Sequence, residues 1–284
     1  MSSYLAALIW PAGLAVILGV AFLMTRRLPA AAGAPAIADR VQEPCRATAV
    51  AAALPVRVAV AECGRFVVLV LAGAVVVFGA MALLGLLVVY HGLAIDKPVF
   101  TWIMHHQVHA VAAILKRLTK IGDTWTAWAA AVTAAVCLSV TWRSRRWLPP
   151  VVMATLIFVD HYVTIALRHI FERVGPPTSP LGTYPSGGCD RVIVFYGLIG
   201  YLLWREFSRR RTTRIWVAAV VAALGFNEAF SRVYLGLHWF TDALSGLLYG
   251  GLLLTAFLLA LHLVTGQVPV TRTGRHAASG RLVK

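Results

Sequence analysis

Four residues in the last quarter of the chain have types and spacing that could move a phosphoryl group. They are Ser231, Arg232, His238 and Asp242, in the run Ser231-Arg-Val-Tyr-Leu-Gly-Leu-His238-Trp-Phe-Thr-Asp242. His238 and Asp242 are four positions apart, so on a helix they share a face. A carboxylate placed there can hold an imidazole in the tautomer whose other nitrogen is free to attack. Arg232 offers a planar, permanently charged fork that matches phosphate oxygens. An oriented histidine beside a fixed guanidinium is what phosphoryl transfer through a phosphohistidine requires. The run lies where one apolar segment ends and the next begins, so the elements that must position it are themselves apolar.

Hydrophobic residues make up 60% of the 284-residue chain and charged residues 13%, with a mean hydropathy of +0.78. Soluble domains average about 25% charged residues, so the composition points to a bilayer. Seven apolar segments can be drawn: Tyr4–Met24, Phe66–Tyr90, Trp125–Trp142, Pro150–Leu167, Cys189–Trp204, Ile215–Phe230 and Ala243–Val264. Several fall short of the roughly 20 residues of an upright span. Segments four to six are the short ones, and their helices are expected to run on into the polar residues, which then face the bundle interior.

The net charge of +15 does not read as a nucleic-acid surface. Arg26–Arg65, Arg143–Arg146, Arg205–Arg214 and the tail Arg272–Lys284 hold 18 of the 26 basic residues. In a seven-span topology all four groups fall on one side, the positive-inside pattern. The N-terminus and the phosphoryl-transfer run are then extracytoplasmic and the C-terminus cytoplasmic. The first segment reads as an uncleaved anchor, because no positive charge precedes it and Arg26 and Arg27 follow it. Cys45, Cys63, Cys137 and Cys189 show neither metal-ligand spacing nor a disulfide framework.

The chain divides into an anchor (residues 1–27), an Ala/Pro-rich cytoplasmic connector expected to be the least ordered internal stretch (28–64), a six-helix membrane domain (65–264) and a basic cytoplasmic tail (265–284). Between the spans, Ile95–Gly122 carries apolar residues at helical spacing and reads as one or two amphipathic helices in the outer interface. His105, His106 and His109 on it read as solvated interfacial histidines, lacking a carboxylate or cysteine at ligand spacing. Asp160 and His161, inside a span, either brace Arg168 or make a helix–helix hydrogen bond.

The spacing of Ser231, Arg232, His238 and Asp242 resembles the third signature of the type 2 phosphatidic acid phosphatase (PAP2) superfamily, integral-membrane lipid phosphatases with a six-span core. Upstream, Arg168-His-Ile-Phe-Glu-Arg173-Val-Gly175-Pro176 resembles that family's first signature, Lys, six residues, then Arg-Pro. Arg168 stands for the lysine, Arg173 matches a frequent extra arginine, and Gly175 replaces the phosphate-binding one. Pro185-Ser186-Gly187-Gly188 resembles the second signature, Pro-Ser-Gly-His, with Gly188 in place of the histidine that protonates the leaving group.

The resemblance implies an all-α polytopic bundle, a six-span PAP2-like core preceded by one extra span, with no metal or other cofactor. It implies His238 as nucleophile, Asp242 as its orienter, and Arg232, Arg168, Arg173, Ser186, Gly187 and Ser231 around the phosphoryl oxygens. Asp190 and Glu228 are candidate substitute acids, the alternatives being helix N-terminal charge complementarity for Asp190 and a buried partner of Arg232 or His238 for Glu228. The expected partner is a lipid phosphate in the membrane, with a diphosphate such as a polyprenyl diphosphate favoured, because its leaving group is already a stable anion. A rival reading is a catalytically impaired relative that binds or translocates a phospholipid headgroup.

Overall fold

The computed structural model describes residues 42–142, 145–177, 179, 182–208 and 210–266, with backbone alone for 42–57. The first expected span, Tyr4–Met24, and the tail after Gly266 lie outside the described residues. Among the described residues eight α-helices follow one another: α1 Gln42–His91, α2 Leu93–His106, α3 His109–Leu118, α4 Thr124–Thr141, α5 Leu148–Phe171, α6 Gly187–Phe207, α7 Arg211–Tyr234 and α8 Phe240–Thr265, with a 3-10 turn, Thr119–Gly122, between α3 and α4. The fold is all-α, as the sequence predicts. Helix α1 begins at Gln42, inside the stretch read as a connector, and runs without a break through Arg65.

Among the described residues five helices are long and apolar enough to cross a membrane: Val58–His91 of α1, then α4, α5, α7 and α8. Helix α6, expected as a span, is not one of these. Asp190 and Arg191 near its start and Arg205 and Glu206 at its end shorten its apolar stretch. It is the helix most enclosed by protein, packed chiefly on α8 and α7 and also on α4 and α5. Outward positions on the surrounding helices are apolar: Val75 and Val76 on α1, Val140 on α4 and Phe226 on α7 are each more than 70% exposed. Apolar side chains on the outside as well as the inside fit a hydrocarbon surround.

The helix bounds follow from local chemistry. Helix α5 takes Pro149 and Pro150 in its first turn, where a missing N–H costs nothing. It stops at Glu172, which turns into the left-handed region (φ 39°) while its N–H bonds the Arg168 carbonyl. On α4, Ala127, Ala131 and Ala135 are buried at four-residue spacing, small enough to let α5 and α6 approach closely. Helices α5 and α7 also extend past their apolar runs to carry Arg168 and Arg232, as the short segments predict.

Helices α2 and α3 form as the amphipathic pattern predicts, with Ile103 and Leu115 buried while Trp102 and Ile114 are exposed. A buried ion cluster ties α2 to the bundle. Arg173, just after α5, donates from Nη2 to Asp96 Oδ2 on α2 (2.6 Å) and from Nη1 to Asp242 Oδ1 on α8. Asp96 also accepts the Thr241 N–H (2.9 Å), a donor in the first turn of α8 that the helix itself leaves unpaired. Removing one partner of a buried charge pair strands the other, at a cost of about 3–5 kcal/mol. Asp96→Ala is therefore expected to lower the unfolding midpoint of the detergent-purified protein by several degrees. An unchanged midpoint would show that this cluster carries no stability.

Candidate active site

The C-terminal ends of α5 and α7 and the N-terminal ends of α6 and α8 meet at one end of the bundle. There they enclose a cavity of about 220 Å³ whose wall includes Arg168, Thr183, Gly188, Arg191, Arg232 and His238. Residues from all three sequence signatures therefore share one wall, although 70 positions separate the first of them from the last.

His238 lies in the turn between α7 and α8. Gly236 adopts φ +66° there, a left-handed conformation that glycine adopts without strain and that turns the chain off the end of α7. The Arg232 carbonyl then accepts both the Leu237 N–H (2.9 Å) and the His238 N–H (3.3 Å). The histidine backbone is thus tied directly to the arginine beside it. Its ring Nδ1–H donates to the Thr183 carbonyl at 3.1 Å, in the loop before α6. A carbonyl can only accept, so this bond selects the tautomer that leaves Nε2 with its lone pair. Among the described residues Nε2 has no hydrogen-bond partner.

This corrects the role expected of Asp242. Helix α8 begins at Phe240, between the two residues, so their four-residue spacing is not helical and they do not share a face. Asp242 instead accepts from Arg173, and its backbone carbonyl accepts the Ser186 N–H (3.1 Å), which holds the start of α6 against α8. Arg173 is likewise committed between Asp96 and Asp242 and does not line the cavity. Ser186 and Ser231 are fully buried outside its wall. Gly187 opens α6 with the Arg168 and Arg191 guanidiniums pressed against it.

Neither candidate acid lines the cavity. Asp190 is fully buried and accepts from Thr164 Oγ1 (3.4 Å), within electrostatic reach of Arg168, Arg191 and Asp160. Glu228 is fully buried and accepts from Arg232 Nε (2.7 Å) and Thr119 Oγ1 (2.9 Å). It is the partner of Arg232, one of the two roles open in the sequence. Arg232 is braced on its other side by Asp123 (3.0 Å).

Gly188 sits against this pair. A Cβ there would lie 2.6 Å from Glu228 Oε1 and 2.8 Å from Arg232 Nε, so the Glu228–Arg232 pair fills the space a side chain at 188 would need. Burial and the cations of Arg232 and Arg168 push the His238 imidazole down to about 3, so it is neutral at physiological pH.

Sequence reasoning passed over Thr183, Asp96 and Arg191. Thr183 acts through its backbone, which no side-chain pattern can reveal. Asp96 belongs to a separate helix whose docking is purely tertiary. Arg191 did leave a signal, an arginine beside Asp190 one turn into a largely apolar helix. Of the remaining candidates, His105 and His106 donate to the Thr101 and Trp102 carbonyls of their own helix, and the described residues hold no group of three metal-ligating side chains.

The PAP2 superfamily model matches residues 167–265, the segment that builds this end of the bundle. Phosphatidylglycerophosphatase B of Bacillus subtilis (strain 168) is 32% identical over 117 residues, which cover 38% of this chain and 56% of that protein. "Putative undecaprenyl-diphosphatase YbjG" of Escherichia coli (strain K12) is 28% identical over 108 residues, covering 34% of this chain and 50% of that protein. The chain thus spans about half the length of the curated relatives it matches. The crystal structure of a transmembrane PAP2 type phosphatidylglycerolphosphate phosphatase from Bacillus subtilis superposes with a TM-score of 0.60. The match covers 69% of this chain and 98% of that one at 19% identity, and so shows a shared fold.

The depressed imidazole gives a direct expectation. Nitrogen-15 spectra of the ligand-free protein should show His238 neutral and protonated on Nδ1 from pH 8 down to pH 5, where an ordinary histidine, near 6.5, is mostly charged. Titration near 6.5 would mean that neither burial nor the neighbouring guanidiniums act on it.

Proposed function

We infer, from a chain whose residues 167–265 match the PAP2 superfamily model, that the protein is an integral-membrane lipid phosphate or diphosphate phosphatase, or a phosphotransferase, acting through a phosphohistidine on His238. The observation that carries this reading is an imidazole held through Nδ1 by the Thr183 carbonyl in the same cavity wall as Arg168 and Arg232. Mere binding of a headgroup needs the cations but not an oriented, unprotonated nucleophile.

In the first step the Nε2 lone pair attacks phosphorus and the bond to the leaving oxygen breaks, its electron pair departing with that oxygen. The developing equatorial charge lies against Arg168 and Arg232, pre-oriented donors in a low-dielectric site. The Nδ1–H stays on the ring, and its bond to Thr183 strengthens as the imidazole gains positive charge. Water then adds to phosphorus and the N–P bond breaks back to His238. Of the water's two protons, one stays on the phosphate and the other neutralises the departed oxygen. A hydroxyl acceptor replaces water in transfer.

Because Gly188 carries no acid and Glu228 is committed to Arg232, a leaving alkoxide gets no proton from this wall. General acids typically contribute about 10²–10⁴-fold. A diphosphate ester departs as a phosphate anion and needs that proton far less, so a polyprenyl-type diphosphate is the preferred substrate class. The names of the two curated relatives, one a phosphatidylglycerophosphatase and one a diphosphatase, support a lipid-borne phosphate. The distribution of basic loops supports a site on the extracytoplasmic side.

Phosphate release from lipid monophosphates and diphosphates by the purified protein tests the reading. Release should be vanadate-sensitive and faster on the diphosphate, and His238→Ala should lower it by about 10³-fold or more. Equal, negligible release from both proteins would favour the headgroup-binding alternative, and faster monoester turnover would overturn the diphosphate preference. Gly188→His, despite restoring the family residue, should not raise monoester turnover, because its Cβ collides with the Glu228–Arg232 pair. A gain would show that the pair can move aside.

A further inference from the structure

We propose that Arg191 is a phosphate-binding residue that shares the transferred phosphoryl group with Arg168, supplying the guanidinium missing at Gly175. Arg191 lines the same cavity as His238, although it belongs to none of the three signatures. Its Nε donates to the Gly122 carbonyl at 3.0 Å, which fixes the plane of the fork and leaves the two terminal nitrogens for a ligand. Those nitrogens lie 2.9 and 3.3 Å from where a Cβ on Gly187 would sit, and Arg168 Nη2 lies 2.7 Å from the same point. The two guanidiniums therefore meet over the first residue of α6, less than 6 Å apart, close enough to bracket one phosphoryl group.

Among the described residues no carboxylate comes within ion-pairing distance of either Arg168 or Arg191. The Nε of Arg168 is buried without a partner. Arg232, Arg173 and Arg145 each have a carboxylate. Two converging guanidiniums without such a partner at the wall of a cavity, over the N-terminus of a 21-residue helix, form an anion site in search of a dianion. Gly187 is part of it, since any side chain there would occupy the space of both forks.

The proposal deepens the phosphatase reading and rests on it, but its first readout does not require turnover. Binding of orthovanadate and of inorganic phosphate to the detergent-purified protein is measured by calorimetry, alongside diphosphate turnover, for wild type, Arg191→Gln, Arg191→Lys and Tyr196→Phe. Loss of a charge-assisted contact should weaken vanadate binding about 10- to 100-fold in Arg191→Gln, with a similar loss in kcat/KM. Arg191→Lys, which keeps the charge and loses the fork, should fall between.

Tyr196→Phe separates a structural effect. Tyr196 donates to the Ile121 carbonyl (3.0 Å) of the same 3-10 turn that Arg191 anchors, and it should leave anion binding unchanged. Wild-type affinity retained in Arg191→Gln, or an equal loss in Tyr196→Phe, would overturn the assignment while leaving the phosphatase reading intact. Vanadate binding lost in Arg191→Gln without turnover in any protein would uphold the anion site and overturn the phosphatase. No anion binding by the wild type would overturn both.

Discussion

The site depends on holding three guanidiniums, Arg168, Arg191 and Arg232, around an uncharged imidazole at the end of an apolar bundle. Like charges gathered where water is scarce repel strongly, and the fold must offset that repulsion without filling the cavity. It does so from behind. Glu228 and Asp123 grip Arg232 from outside the cavity wall, while Asp190 and Asp160 lie buried within electrostatic reach of Arg168 and Arg191. The carboxylates keep the cations in place, and burial together with those cations keeps His238 unprotonated. The neutral state that the proposed nucleophile needs is thus set in part by the groups proposed to bind phosphate.

Two arginines close in sequence, Arg168 and Arg173, have different jobs because of their depth and partners. Arg173 is enclosed by Asp96, Asp242 and the Thr241 hydroxyl (3.0 Å) and links α2 to the start of α8. Arg168, a turn and a half earlier on α5, reaches the cavity. The same logic separates the acids. Glu228 was read either as a substitute acid or as a partner of Arg232, and its hydrogen bonds make it the partner. Its carboxylate stands where a side chain at 188 would go, so the glycine and the glutamate form one steric arrangement.

Much of the architecture was legible along the chain. The apolar runs from Phe66 onward became helices, the polar ends of α5, α6 and α7 turned inward, and the Ile95–Gly122 stretch folded as two amphipathic helices and a turn. Helix bounds were harder to read where charges interrupt an apolar run. Helix α6 is as long as a span, but Asp190 and Arg191 near its start interrupt its apolar run, and of the two only Arg191 lines the cavity. The spacing of His238 and Asp242 misled for a related reason, since a period of four has meaning only inside one helix and α8 starts between them.

The chain by itself determined which residue types were available for chemistry and that apolar helices would carry them, because hydropathy and local periodicity act over a few turns. It also determined that His238 and Arg232 would be neighbours, since only five residues, one of them the turn glycine, separate them. What holds the imidazole was decided only in three dimensions. The Thr183 carbonyl, the committed pair at Gly188 and the approach of Arg191 to Arg168 each join segments whose contact depends on helix packing, and packing is a property of surfaces brought together from distant parts of the chain.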